Sequence, residues 1–249
     1  MIATLDWNGK PRKIDFSKPL DISIPLRASD ENVNAWYLKS PKIEPVKMDD
    51  WVGSVKDGAD VNFNNIYFNP HAHGTHTECV GHITEKVHSI NEHLTTFFFS
   101  AKVISVEPQT VGEDFIIQKE QIKAQLQSNE VEALVIRTLP NHPDKLSKHY
   151  SNTNPPFISE DAALFIKDSG IKHLLIDLPS VDKEKDDGKL LSHNAFWNTT
   201  GNIRFDATIT EFIYVPNTVE DGLYSLNLQI APFENDATPS KPILYKIFD

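Results

Sequence analysis

Apolar residues along this chain fall into short runs separated by polar, proline-rich stretches, and the runs carry two different periods. Lys102–Val106 alternates and stops before Pro108, while Ala133–Arg137 and His173–Asp177 are nearly continuous apolar runs of strand length. The first pattern predicts a half-buried strand and the other two predict strands buried on both faces. Thr208–Val215 is β-branched and aromatic, and Tyr224–Ile230 alternates strictly, predicting two more strands, the last with one polar face. Shorter strands are expected around Ile14–Phe16 and Asp21–Ile24, within a first sixty residues that otherwise read as irregular chain. A helical period fits between the strands. Gln118–Gln127 places Ile122 and Leu126 four apart, and Ser159 stands as an N-cap before Glu160 and Asp161, with Gly170 just past the end. Segments 152–156 and 182–188 read as loops inside one unit spanning 1–249. Helices alternating with strands, then strands alone, predict a mixed α/β domain.

Composition narrows the function classes. The formal net charge is −11, from 24 Lys+Arg against 35 Asp+Glu, with no basic cluster interleaved with aromatics, so nucleic acid is not expected as a partner. No apolar stretch approaches the roughly 20 residues of a bilayer span, and the start of the chain lacks the pattern of a signal peptide. A single cysteine, Cys79, excludes an intramolecular disulfide. A cytoplasmic protein is the expectation. Proline (16) exceeds glycine (10), which favours rigid connections.

The chemistry concentrates in one place. Six of the ten histidines lie between positions 71 and 93, and residues 71–82 hold His71, His73, His76 and His82 together with Glu78 and Cys79. Imidazole and carboxylate are ligands for zinc, manganese and similar ions. His76 and Glu78 share a side if the segment is extended. His88 and His93 read as ordinary structural histidines. Cys79 has two readings, a ligand or nucleophile and a small buried apolar residue.

The segment Ala72-His73-Gly74-Thr75-His76-Thr77-Glu78-Cys79-Val80-Gly81-His82 resembles the HxGTHxDxPxH signature of the metal-dependent cyclase family, which includes bacterial kynurenine formamidase and isatin hydrolase. Ala72 stands where the family's first His ligand would be, Glu78 replaces the ligand Asp, and Val80 replaces Pro. Two distant stretches extend the resemblance: Leu190–Phe196, containing His193, and Thr208–Ile213, containing Glu211. Together with His173–Asp182 they carry it over roughly residues 15–235. The resemblance implies a swivelling β/β/α fold with a mixed, barrel-like sheet flanked by helices. It implies a metal site of His71, His76, Glu78, His193 and Glu211, holding one or two divalent ions, Zn or Mn. His71 takes the place of the missing ligand, with His73 as the alternative. His82 matches the family's proton-transfer residue, and Glu211 has a second reading as the group that orients His82.

The implied activity is that of a metal-dependent hydrolase, arylformamidase-like, in which metal-bound hydroxide cleaves an amide, formamide, cyclic amide or lactone bond of a small molecule. An aromatic of the N-terminal region stacks on the substrate in the family. Trp36 is the first candidate, ahead of Tyr37, Trp51, Phe68 and Trp197. A catalytically weak metal- or ligand-binding relative is the competing reading, motivated by Ala72 and Glu78, and a thiol enzyme built on Cys79 is a third. A homo-oligomer is expected, with residues 233–249 either an arm around a partner subunit or a tail on their own domain.

Overall fold

The structure is a computed structural model and describes residues 1–7 and 9–248. Ten strands form the main sheet: β1 (Ile2–Trp7), β2 (Lys10–Asp15), β3 (Leu20–Asp21), β4 (His76–Glu78), β5 (Phe98–Val106), β6 (Ala133–Thr138), β7 (His173–Ile176), β8 (Thr208–Glu211), β9 (Gly222–Ile230) and β10 (Ala237–Phe248). Five short helices accompany them: α1 (Pro70–His73), α2 (Ile90–His93), α3 (Lys119–Lys123), α4 (Glu160–Asp168) and α5 (Leu191–Trp197). The order is β1-β2-β10-β9-β5-β6-β7-β8-β4, and β4 also pairs with β10. Seven strands, β10 through β4, thereby close into a mixed barrel, as the resemblance implied.

The apolar runs explain the layers. β5, β6, β7 and β8 are mutually parallel, with Leu134 beside Lys102 on one side and Leu174 on the other. Parallel strands joined by helical crossovers are covered on both faces, and every residue of β6 is buried. Ala133 and Val135 join Val103, Leu175 and Leu226 in one cluster, enclosed by the barrel. Leu134 and Ile136 point the other way, into a cluster with Ile122, Ile166, Phe196 and Trp197 from the helices. No helix among the described residues is long and apolar enough to cross a membrane.

Several expectations change. The expected strand from Thr208 ends at Glu211, because Phe212 adopts φ +53 and turns the backbone before pairing resumes at Ile213. Most of the expected polar face of β9 is covered: Ser225 and Asn227 are buried while Gln229 is exposed, and Asn227 Nδ2 donates to the Phe97 carbonyl at 3.0 Å. Ser159 does precede α4, but its hydroxyl bonds Asp161 Oδ1 and not the helix backbone. α3 is shorter than its periodicity suggested. The residues read as an arm or a tail lie on their own domain, as a strand. Ala237–Phe248 is β10, the strand that closes the barrel; of this segment, Asp249 lies outside the described residues. Pro239 and Pro242 disguised it, since proline removes a ladder donor. Both still accept at their carbonyls, from Ala231 N at 3.0 Å and Ile22 N at 3.2 Å.

Candidate metal centre

The closing seam of the barrel is where the chemistry gathers. In β4, His76 and Glu78 point to one side, and antiparallel pairing sets Glu211 opposite His76 and Ile209 opposite Glu78. Ile209 belongs to the helix-side core, so these side chains also face the helices. From there α5 contributes His193, while α1 and the turn at Val80–Ile83 contribute His71 and His82. The five expected ligands do converge. His71 Nδ1 lies 3.1 Å from Glu78 Oε2, His193 Nε2 3.1 Å from Glu78 Oε1, and His76 Nε2 3.4 Å from Glu211 Oε2. Three overlapping triads, His71/His76/Glu78, Glu78/His82/His193 and His71/His82/Asp236, each bring their candidate atoms within 4.8 Å of one another.

His76 shows why a cation belongs here. Its Nδ1–H donates to the Gly74 carbonyl at 3.1 Å, which leaves Nε2 as the nitrogen that can offer a lone pair to an ion. That nitrogen is fully buried, has no hydrogen-bond partner, and faces Glu211 Oε2 at 3.4 Å and Glu78 Oε2 at 4.0 Å. Glu78 Oε2 is likewise buried without a hydrogen bond. Buried polar atoms are rarely left without a partner. Two ligand atoms each about 2.0–2.1 Å from one tetrahedral ion stand about 3.4 Å apart, so the residues present fit a divalent metal.

The surrounding groups hold the ligands in register. Asp182 accepts the backbone N–H groups of Ser192 and His193 at the start of α5 (2.7 and 3.2 Å) and the His193 Nδ1–H at 2.5 Å. This leaves Nε2 aimed at Glu78, the carboxylate–histidine arrangement that orients metal ligands. Glu211 Oε1 accepts the Val181 N–H at 3.0 Å. Asp236, just before β10, meets His71 Nε2 at 2.8 Å and His82 Nδ1 at 3.3 Å. Burial alone would lower the two buried imidazoles, yet Asp182, Glu78 and Glu211 push His193 up to about 10, and Asp236 and Glu78 do the same for His71. Burial would raise Glu78, but His82, His193 and His71 hold it well below the usual carboxylate range. The site is thus built to bind positive charge.

The remaining candidates separate clearly. His73 leaves the cluster: its Nε2 bonds the Lys39 carbonyl at 2.9 Å and its Nδ1 accepts from Asn69 N at 2.8 Å. Successive helical residues are about 100° apart, so α1 cannot turn both histidines inward. His82 stacks on His71 with centroids 4.2 Å apart, at the solvent edge. The carboxylate nearest it is Asp236; Glu211 serves His76 and His193 instead. Trp36, half-buried, donates Nε1–H to the His71 carbonyl at 3.0 Å. Trp197 is in the core, its indole bonded to the Ala207 carbonyl. His88 and His93 pack around Phe205. Cys79 is buried, and burial pushes its thiol up to about 11, so it is no thiolate at neutral pH. The sequence does not single out Asp182, in a loop-like stretch, or Asp236, in a tail-like one; neither lies in a spacing pattern.

A closed mixed barrel with a buried histidine–carboxylate cluster on its seam defines the class, and the comparisons give it a family. A model of the putative cyclase family matches residues 14–183, and the chain belongs to that family. No curated protein matches it. Among solved structures it is similar to a predicted metal-dependent hydrolase from Bacillus stearothermophilus (19% identity, 92% of this chain and 98% of that one, TM-score 0.64). It is also similar to isatin hydrolase A from Labrenzia aggregata bound to benzyl benzoate (14% identity, 92% and 93%, TM-score 0.65). A third is a potential metal-dependent hydrolase with cyclase activity (18% identity, 92% and 97%, TM-score 0.63). At these identities the likeness is one of fold.

Proposed function

We propose that this chain is a metal-dependent hydrolase that opens an amide, formamide, cyclic amide or lactone bond of a small molecule. The observation that carries the reading is the buried, unpartnered His76 Nε2 facing two carboxylates. Family membership and the hydrolases among the similar structures support it. His71, His76, Glu78, His193 and Glu211 would hold one or two ions, zinc or manganese. A divalent ion there supplies Lewis acidity toward a carbonyl oxygen and makes water acidic enough to act as a nucleophile near neutral pH. Asp182 keeps His193 in one tautomer. His82 turns Nδ1 to Asp236 and keeps Nε2 available at the solvent edge, where it holds or delivers a proton to the leaving nitrogen or oxygen. Trp36, beside His71, offers an aromatic face to an aryl substrate.

The test is elemental analysis of protein purified without chelator, then turnover of an aryl formamide and an aryl lactone before and after metal removal. Bound divalent metal with turnover that disappears on chelation and returns on reloading is the expected result. Glu78 favours the second reading, a metal-binding relative of weak activity, because its two oxygens already meet His193 and His71 at 3.1 Å each. Bound metal without turnover on either substrate would select that reading, and absence of bound metal would overturn both.

A further inference from the structure

His71 enters the cluster by the opposite ring nitrogen from its companions. His76 and His193 both commit Nδ1 to an acceptor, the Gly74 carbonyl and Asp182, and turn Nε2 inward. His71 turns Nδ1 inward, 3.1 Å from Glu78 Oε2, and Nε2 outward, 2.8 Å from Asp236 Oδ2. The sequence supplies the reason. The position where the family motif carries its first histidine is Ala72, which is fully buried. A histidine one residue earlier on α1 leaves the backbone about 100° around the helix and reaches the cluster from the side of Asp236.

A neutral imidazole carries one N–H, and the nitrogen that carries it cannot bind an ion. Both ring nitrogens face a carboxylate that only accepts, Asp236 at 2.8 Å from Nε2 and Glu78 at 3.1 Å from Nδ1; with Glu78 committed to the ion, Asp236 keeps the proton on Nε2 and leaves the lone pair on Nδ1. The pieces around the ring are fixed: the His71 carbonyl by the Trp36 indole at 3.0 Å, and the Asp236 carbonyl by Cys79 N at 3.0 Å, next to Glu78. We propose that Asp236 is a positioning residue that selects the Nε2–H tautomer of His71 and so makes it an Nδ1 ligand, the His71–Asp236 pair doing the work of the histidine missing at Ala72. This rests on the metal-centre reading above.

Zinc is the probe. Stoichiometry comes from elemental analysis, affinity from chelator competition, and the His71 tautomer from long-range proton–nitrogen NMR of the zinc-loaded protein, assigned with His71→Ala. Asp236 is partly exposed, so Asp236→Ala and Asp236→Asn are tolerable to the fold. Loss of such an outer carboxylate costs about 10–100-fold in metal affinity. Asp236→Ala should therefore bind as many ions as the wild type, about 10–100-fold more weakly. Asp236→Asn should recover most of this, since its amide oxygen still accepts from Nε2. Adding Asp236→Ala to His71→Ala should weaken zinc no further, and the wild-type spectrum should show zinc on Nδ1 of His71. Unchanged affinity in Asp236→Ala, or zinc on Nε2, would overturn the proposal. Loss of a whole equivalent of zinc would also overturn it, making Asp236 a ligand of a second ion. If His71→Ala and His76→Ala both keep full affinity, the metal-centre reading itself fails, an outcome separable from an idle Asp236.

Discussion

At the residue scale, the site sorts its histidines by what their second nitrogen touches. His76 and His193 are buried with one nitrogen committed to an acceptor, whereas His82 sits at the solvent edge, stacked on His71. The two kinds of substitution should separate. His76→Ala and His193→Ala should lose metal and turnover together. His82→Ala should keep its metal and lose about 10²- to 10⁴-fold in rate, the usual contribution of general acid–base catalysis. Elemental analysis beside the kinetics decides it: full metal in both ligand variants removes them as ligands, and loss of metal in His82→Ala makes His82 one. Much of this cluster was legible in the chain, because four histidines within twelve residues and a His-x-Glu pair make a local pattern. The preference for His71 over His73 agrees with the structure, where one helical turn at Pro70 turns His71 toward the cluster. Asp182 and Asp236 were illegible because each acts on its histidine through the fold, 11 and 165 residues away in sequence.

Elements show the same division. β6 and β7 were readable because strands buried on both faces are apolar throughout. β10 was not, because two prolines broke its pattern, and β8 was overextended because Phe212 bends without any glycine to announce it. One residue of β7 breaks its own pattern. His173 is buried, its ring 3.9 Å from that of Phe99 and its Nδ1 2.9 Å from Thr208 Oγ1. Burial, helped by Lys172, pushes it down to about 4. The unfolded chain takes up that proton near pH 6.5 and the folded chain does not until about pH 4. Its contribution to stability is therefore whole above pH 6.5, falls as the pH drops toward 4, and is constant below. At 1.36 kcal/mol per pH unit the loss is about 3 kcal/mol. Urea titrations from pH 7 to 4 should show the wild type losing about that much more than His173→Gln; parallel losses would mean that His173 does not titrate in this window.

For the whole molecule, the seam joins stability to the ion. β4 is held between β8 and β10 by only three residue pairs on each side, and three of the proposed ligands, His76, Glu78 and Glu211, lie on that seam. An ion bound only by the folded state stabilises it by about 2.7 kcal/mol when present at 100 times its dissociation constant. In a chain of this size that corresponds to roughly 5–10 °C in Tm. Chelation should lower the calorimetric Tm of the wild type by about this amount and leave that of His76→Ala unmoved. Equal Tm values with and without chelator in the wild type would show that the ion adds nothing to the seam.

The seam also sets an order in time. Thr77 meets Thr210 across 133 residues, and His71 meets Asp236 across 165. On a ribosome adding about 5–20 residues per second, the histidine-rich segment is made on the order of 10–30 s before the carboxylate that fixes its first imidazole. Throughout that interval the growing chain carries a run of loose imidazoles with no barrel to discipline them. Such a run takes whichever ion binds imidazole most tightly, copper ahead of zinc and manganese in the usual ranking. Geometric choice among metals begins only after the last strand has been inserted, so the cell's free-ion supply during synthesis, as well as the finished pocket, bears on which metal the protein first meets.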